Sequence, residues 1–175
     1  MTVAARPTTQ PRGRAVLAQL VSTNPATRLV DFALIAVRIA LVWIFIYYGG
    51  AKLFGWFNGA GIHGTSQFFA DTAHLHPGGL FAVLGGLIEF GGAIALALGL
   101  GARVVGIALV GDMLMAMITV TWRNGIHSLG PHQGYEINVA VAALALVVVL
   151  LGAGRYSVDA KIERLIAPAE DRSEG

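Results

Sequence analysis

The chain contains no cysteine. That excludes disulfides, thiolate nucleophiles, persulfide carriers and cysteine-ligated iron–sulfur clusters within it. Charge is scarce too. Asp, Glu, Lys and Arg make up 13% of the 175 residues, about half the share of a soluble domain. The long apolar runs lack the polar stripe of amphipathic helices, which argues against a soluble bundle. No glycine-rich phosphate loop follows a strand, and there is no Walker sequence or nucleophile elbow. A bound nucleotide is therefore not expected. The 23 glycines are scattered through apolar runs, where small residues permit close helix packing. No histidine lies inside a run, so a haem held by two histidines within the membrane is not expected.

What the chain has in quantity is apolar surface. Hydrophobic residues account for 55% of it, and mean hydropathy is +0.68. The length is that of one domain. Four runs approach the roughly 20 residues needed to cross a bilayer: 32–51, 79–100, 104–121 and 137–154. The expected fold is all-α, an integral membrane up-down four-helix bundle over 29–155. Membrane lipids are its first partners.

An even number of crossings puts both termini on one side, and Lys and Arg decide which. Arg6, Arg12, Arg14, Arg28, Arg103, Arg155, Lys161, Arg164 and Arg172 fall on one side, against Lys52 and Arg123 on the other. Both termini are expected in the cytoplasm, and the membrane is expected to be the cell membrane. The basic residues gather where this rule wants them, so nucleic acid is not an expected partner. Residues 1–28 read as a tail, mostly disordered because Pro, Thr and Arg dominate its start. The stretch 12–21 resembles a signal peptide but is short and soon followed by a full span; it reads better as an interfacial segment. After the glycines near 152–154, Ser157 can cap a new helix. Its apolar Val158, Ile162, Leu165 and Ile166 would lie on the membrane surface.

Three charges fall inside the runs: Arg38, Glu89 and Asp112. Counting 1.5 Å per residue from the cytoplasmic face puts them roughly 12–16 Å deep, within one helical turn of each other. Charges facing lipid are costly, so the three are expected to point inward as a polar cluster. One carboxylate can pair with Arg38. The other is a candidate proton relay; the plainer alternative is an ion pair that only fixes packing. Gly85, Gly86 and Gly92 would let a helix or a flat ligand approach Glu89.

A second polar set lies at the outer ends. Lys52 ends the first run and Glu136 begins the fourth at matching height, so they could pair; the plainer alternative is that Lys52 snorkels to the headgroups. All five histidines fall on this side. The spacings of His63, His74, His76, His127 and His132 match no metal-site pattern, and no metal is expected. His127, just beyond the third run, is the best placed proton donor. The catalytic candidates are thus Glu89, Glu136, Lys52 and His127. Tyr47, Tyr48, Trp56 and Trp122 fit an aromatic belt at the outer interface. Tyr48, Trp56 and Trp122 are also candidates to line the entry of a ring-shaped lipid-soluble ligand.

These residues resemble the pattern of the DoxX family. The similarity runs through Arg38, Gly49 and Lys52 in "VRIALVWIFIYYGGAKLFG". It continues through Glu89, Gly99 and Arg103 in "IEFGGAIALALGLGAR", and through Glu136 and the stretch from Ser157 to Asp159 near the end. Asp112 falls outside that pattern, so its partnership rests on depth alone. The resemblance implies a four-helix membrane protein linked to redox metabolism. Family members include a small subunit of a thiosulfate:quinone oxidoreductase, and relatives are associated with oxidative-stress complexes. The expected function is a membrane subunit of a quinone-linked oxidoreductase. Quinone is its cofactor and a protein partner supplies the electrons, because no electron carrier is visible in the chain. Two alternatives stand beside it: a non-catalytic anchor or assembly factor for soluble redox enzymes, and a transporter or ion conduit formed by a homo-oligomer.

Overall fold

The computed structural model describes residues 27–128 and 133–166. The tail before residue 27, the segment 12–21, His132 and Arg172 lie outside them. The regular structure of the described residues is all helical, with no strand among them. The helices are α1 (Thr27–Phe54), α2 (Gly61–Asp71), α3 (Gly78–Leu98), α4 (Ala102–Ala116), α5 (Glu136–Leu151) and α6 (Val158–Ile166). A short 3-10 turn, Trp56–Asn58, follows α1. α4 runs on through a π-helical turn, Met117–Thr121, and a 3-10 turn, Trp122–Asn124.

Three helical stretches are long and apolar enough to cross a membrane: Arg28–Phe54, Gly78–Leu98 and Ala102–Asn124. α5 is equally apolar but only 16 residues long. Leu41 and Phe45 of α1, Ala93 and Leu96 of α3, Leu109 of α4, and Val141, Ala145 and Val148 of α5 form one buried core. The opposite faces of these helices carry large apolar side chains outward. Trp43 is 79% exposed, Val104 72%, Ile118 68% and Leu150 66%. An apolar surface of this kind is suited to lipid and would aggregate in water. The chain is a multi-pass membrane protein.

Packing is closest between α1 and α3 and between α4 and α5. Small residues allow it. A Cβ on Gly49 would stand 2.5 Å from the backbone nitrogen of Phe90, so α1 and α3 touch backbone to backbone at that point. Gly106 plays the same part for α4, facing Val149 and the carbonyl of Ala145 on α5.

α2 was not among the expected helices; its residues were read as a histidine-bearing outer loop. It lies against α1 and α3, with Thr65 buried. At the other end of the molecule, Ser157 Oγ accepts the N–H of Ala160 at 3.1 Å and caps α6. Asp159 then accepts the N–H groups of Gly101 and Ala102 at 2.7 and 3.0 Å. A carboxylate at the first turn of α4 complements its helix dipole, and it docks α6 onto the α3–α4 turn. Gly99 and Gly101 make that turn, with φ of 67° and 57°, values that glycine adopts without strain.

Candidate functional site

Glu89 sits near the middle of α3 and is 2% exposed. The Nζ of Lys52 on α1 donates to its Oε1 at 2.7 Å. The carboxyl group of Asp112, on α4, neighbours both: Glu89 feels the charges of Lys52 and Asp112 together. One cation and two carboxyl groups from three helices thus meet in the interior. Only part of their hydrogen-bonding capacity is used. Glu89 Oε2 and Asp112 Oδ2 are buried and receive no N–H or hydroxyl donor, but the two carboxyl groups lie within hydrogen-bonding reach of each other and can share a proton. A buried polar atom without a partner costs about 1–3 kcal/mol, so this pair of oxygens calls for a proton, water or a ligand.

A cavity of about 740 Å³ opens onto all three groups. Its walls are mostly apolar, with Ile88 and Leu84 from α3 and Phe68 and Phe69 from α2. Tyr48, Thr65, Thr121 and Asn138 add polar points. The π-helical turn of α4 contributes Thr119, Val120 and Thr121 to one wall. Such turns displace the local register of a helix and recur at functional sites. The Lys52 ammonium also lies 5.9 Å from the centre of the Phe69 ring, within cation–π range. An apolar cleft with a few convergent polar groups is the usual form of a small-molecule site.

The structure rearranges the expected pairings. Arg38 does not join Glu89 and Asp112. It donates from Nε to the carbonyl of Leu96 at 2.9 Å and from Nη2 to that of Ala97 at 3.1 Å. Its Nη1 donates to the carbonyls of Ala153 and Tyr156 at 2.9 and 3.1 Å. These carbonyls end α3 and the turn after α5, where backbone acceptors lack helical partners. Arg38 staples the end of α3 to the turn after α5, and Lys52 takes the place in the carboxyl cluster expected of Arg38. Lys52 in turn does not pair with Glu136. The physical cause is direction: a helical side chain leans toward the N-terminus of its own helix. Lys52 therefore reaches into the interior.

Glu136 pairs instead with its own loop. Its Oε1 accepts the N–H of Ser128 at 3.0 Å, and Oε2 lies 3.5 Å from Nδ1 of His127. Both side chains are outside the cavity lining. The Ser128 hydrogen bonds, aided by His127, hold the Glu136 carboxyl below the usual glutamate range.

Of the three candidate aromatics, Tyr48 lines the cavity. Trp56 packs against Phe54 and Phe90, and Trp122 stacks on Tyr135 with centroids 5.3 Å apart. Phe68, Phe69 and Thr65 were missed because their segment was read as a loop. The signal was present: Ile62, Thr65 and Phe69 follow the 3–4 spacing of a helix face. Among the described residues, no three His, Asp or Glu side chains converge in a way that could hold a metal ion.

An aromatic amino acid transport protein, AroP, of Corynebacterium glutamicum is 32% identical over 100 residues. That region covers 54% of the present chain and 20% of AroP, so the chain spans about a fifth of that relative's length. No solved structure gives a significant match. The DoxX family model matches residues 33–122, a stretch that takes in Arg38, Lys52, Glu89 and Asp112. This is just over half of the chain, and the protein belongs to the DoxX family.

Proposed function

We propose that the protein is the membrane subunit of a quinone-linked oxidoreductase, with a partner protein supplying the electrons. One observation carries the reading. Two buried carboxyl groups that receive no N–H or hydroxyl donor at Glu89 Oε2 and Asp112 Oδ2, and that neighbour each other, line an apolar cavity of about 740 Å³ with one ammonium. A quinone bound there would supply two-electron, two-proton chemistry. Lys52 would donate a hydrogen bond from Nζ to a ring carbonyl. Glu89 Oε2 and Asp112 Oδ2 would give or take protons at a ring oxygen, which is general acid–base work. Tyr48, Phe68 and Phe69 offer ring faces and apolar surface to a flat headgroup. Glu136 and His127, tied to each other on the surface, would serve only as an outer proton port.

The reading includes a four-helix bundle in the cell membrane, with α5 as the fourth crossing and both termini cytoplasmic. It is tested by titrating the purified protein in nanodiscs with short-chain ubiquinone and menaquinone analogues, followed by fluorescence quenching. Saturable binding weakened at least about tenfold by Glu89→Gln combined with Asp112→Asn is expected, since each unpaired buried group is worth about 1–3 kcal/mol. A protein that neither binds an analogue nor changes a co-purifying partner's quinone reductase rate sinks the proposal. Stoichiometric partners without bound ligand would then favour the anchor role.

The similarity to AroP favours a second reading, in which the same cavity passes an aromatic, amphipathic solute through an oligomer. Uptake of labelled aromatic amino acid by liposomes containing only this protein would select it.

A further inference from the structure

A second cavity, of about 850 Å³, lies at the opposite end of the molecule from Lys52. Its lining draws cations from three separate segments: Arg28 at the start of α1, Arg155 after α5, and Lys161 and Arg164 on α6. None of the four side chains forms an ion pair with another described residue. The one acid in the lining, Asp31, is turned to the backbone, where its Oδ1 accepts the N–H of Arg155 at 3.1 Å. Four cations against one carboxylate leave the lining among the described residues with a net positive charge, which suits a phosphate group.

The position indicates where the phosphate comes from. Arg28 begins one membrane-length stretch and Leu98 ends another, and both line this cavity. It therefore lies at headgroup depth. Phe32 and Leu98 are exposed beside the cations, at 61% and 54%, and they continue the apolar face of their helices. A soluble phosphate has no use for such a wall, whereas an acyl chain does. We propose that this cavity is a binding site for the headgroup of an anionic phospholipid, held by Arg28, Arg155, Lys161 and Arg164. Basic pockets between membrane helices bind headgroups in this manner. Because Arg155, Lys161 and Arg164 lie beyond the last membrane-length helix, the lipid would also clamp α6 against the start of α1.

The test is native mass spectrometry of the detergent-solubilised full chain, titrated separately with phosphatidylglycerol and phosphatidylcholine. The expected result is binding of phosphatidylglycerol at least about tenfold tighter. Arg155→Gln combined with Lys161→Gln should weaken that preference at least about tenfold. Arg123→Gln, at the other end of the chain's membrane helices, should leave it intact. Equal binding of the two lipids overturns the proposal, as does a preference that the double variant leaves undiminished. Inorganic phosphate or pyrophosphate provides the other arm. If either displaces the lipid at millimolar concentration, and binding of the free ion is lost in the double variant, the site belongs to a soluble phosphate and the lipid assignment fails. Circular dichroism of the double variant confirms folding, which these exposed side chains do not control.

Discussion

Arg38 and Lys52 sit on one helix and reach the same way, back toward its start, yet they do different chemistry. Arg38 distributes its guanidinium over four carbonyls. Lys52 has a single carboxylate oxygen at 2.7 Å. Removing either should be felt, for separate reasons. Lys52→Met leaves the Glu89 carboxylate buried without its cation, and breaking a buried pair costs about 3–5 kcal/mol. Thermal unfolding in detergent should show that loss, and Glu89→Gln in the same background should recover much of it. A variant as stable as the parent would mean the pair contributes nothing. At Arg38 the informative change is to lysine. An ammonium keeps the charge but has three donors in place of a rigid fork of five, so at least one buried carbonyl is orphaned, at about 1–3 kcal/mol. Equal stability of Arg38→Lys would show that only the charge matters. The sequence made the charges inside the apolar runs readable, but neither their depth nor their pairing. Counting rise from the ends of the runs put Arg38, Glu89 and Asp112 within about one turn. The structure sets Gly49 against Phe90 and Leu53 against Gly86, so Lys52 stands near the level of Glu89, while Arg38 lies about three turns away, beside the last carbonyls of α3.

At the scale of elements, apolar runs and glycines located the long helices, since length and hydropathy alone specify a spanning segment. α2 escaped because it is 11 residues long and carries two glycines; its helicity depends on burial against α1 and α3. The α1–α3 contact makes a direct test. Gly49→Ala places a methyl group against backbone that cannot move independently, and the helices must separate. A loss of about 1–3 kcal/mol in detergent is expected, against little change for Gly91→Ala, whose Cβ meets nothing. The α4–α5 loop offers a second test, by pH. Ionised Glu136 is favoured by the Ser128 hydrogen bonds and by His127, so its folded pKa is lowered. The tie is therefore fully present above the ordinary glutamate pKa of about 4.3. It is lost as pH falls through the lowered value. Trp122, stacked on Tyr135 beside this loop, should report the loss as a fluorescence change in acid. Glu136→Gln should remove that transition; its persistence would assign the change to another group.

At the scale of the whole molecule, the question is whether α5 crosses the membrane. Its 16 residues extend about 24 Å, short of the roughly 30 Å hydrocarbon core. Its neighbours support the proposal that it crosses nonetheless. Near its start, Asn138 accepts a hydrogen bond from Thr121, close to the end of the α4 stretch, at 3.2 Å. Just past its end, the carbonyl of Ala153 shares Arg38 with the last turn of α3. α5 therefore runs antiparallel to α4 and covers the same height as helices long enough to span. Flanking glycines, or local thinning of the bilayer, can absorb a mismatch of this size at modest cost. The chain's lack of cysteine makes the consequence measurable without background. Gln67→Cys on α2 and Arg164→Cys on α6 can each be probed in intact cells with a membrane-impermeant maleimide. With α5 crossing, Gln67→Cys should label from outside, and Arg164→Cys should label only after permeabilisation. If both positions label in intact cells, α5 does not cross, and α6 with its basic cavity faces the exterior. Neither the headgroup site nor the cytoplasmic orientation would survive that result, whereas the Lys52, Glu89 and Asp112 cluster would keep its geometry.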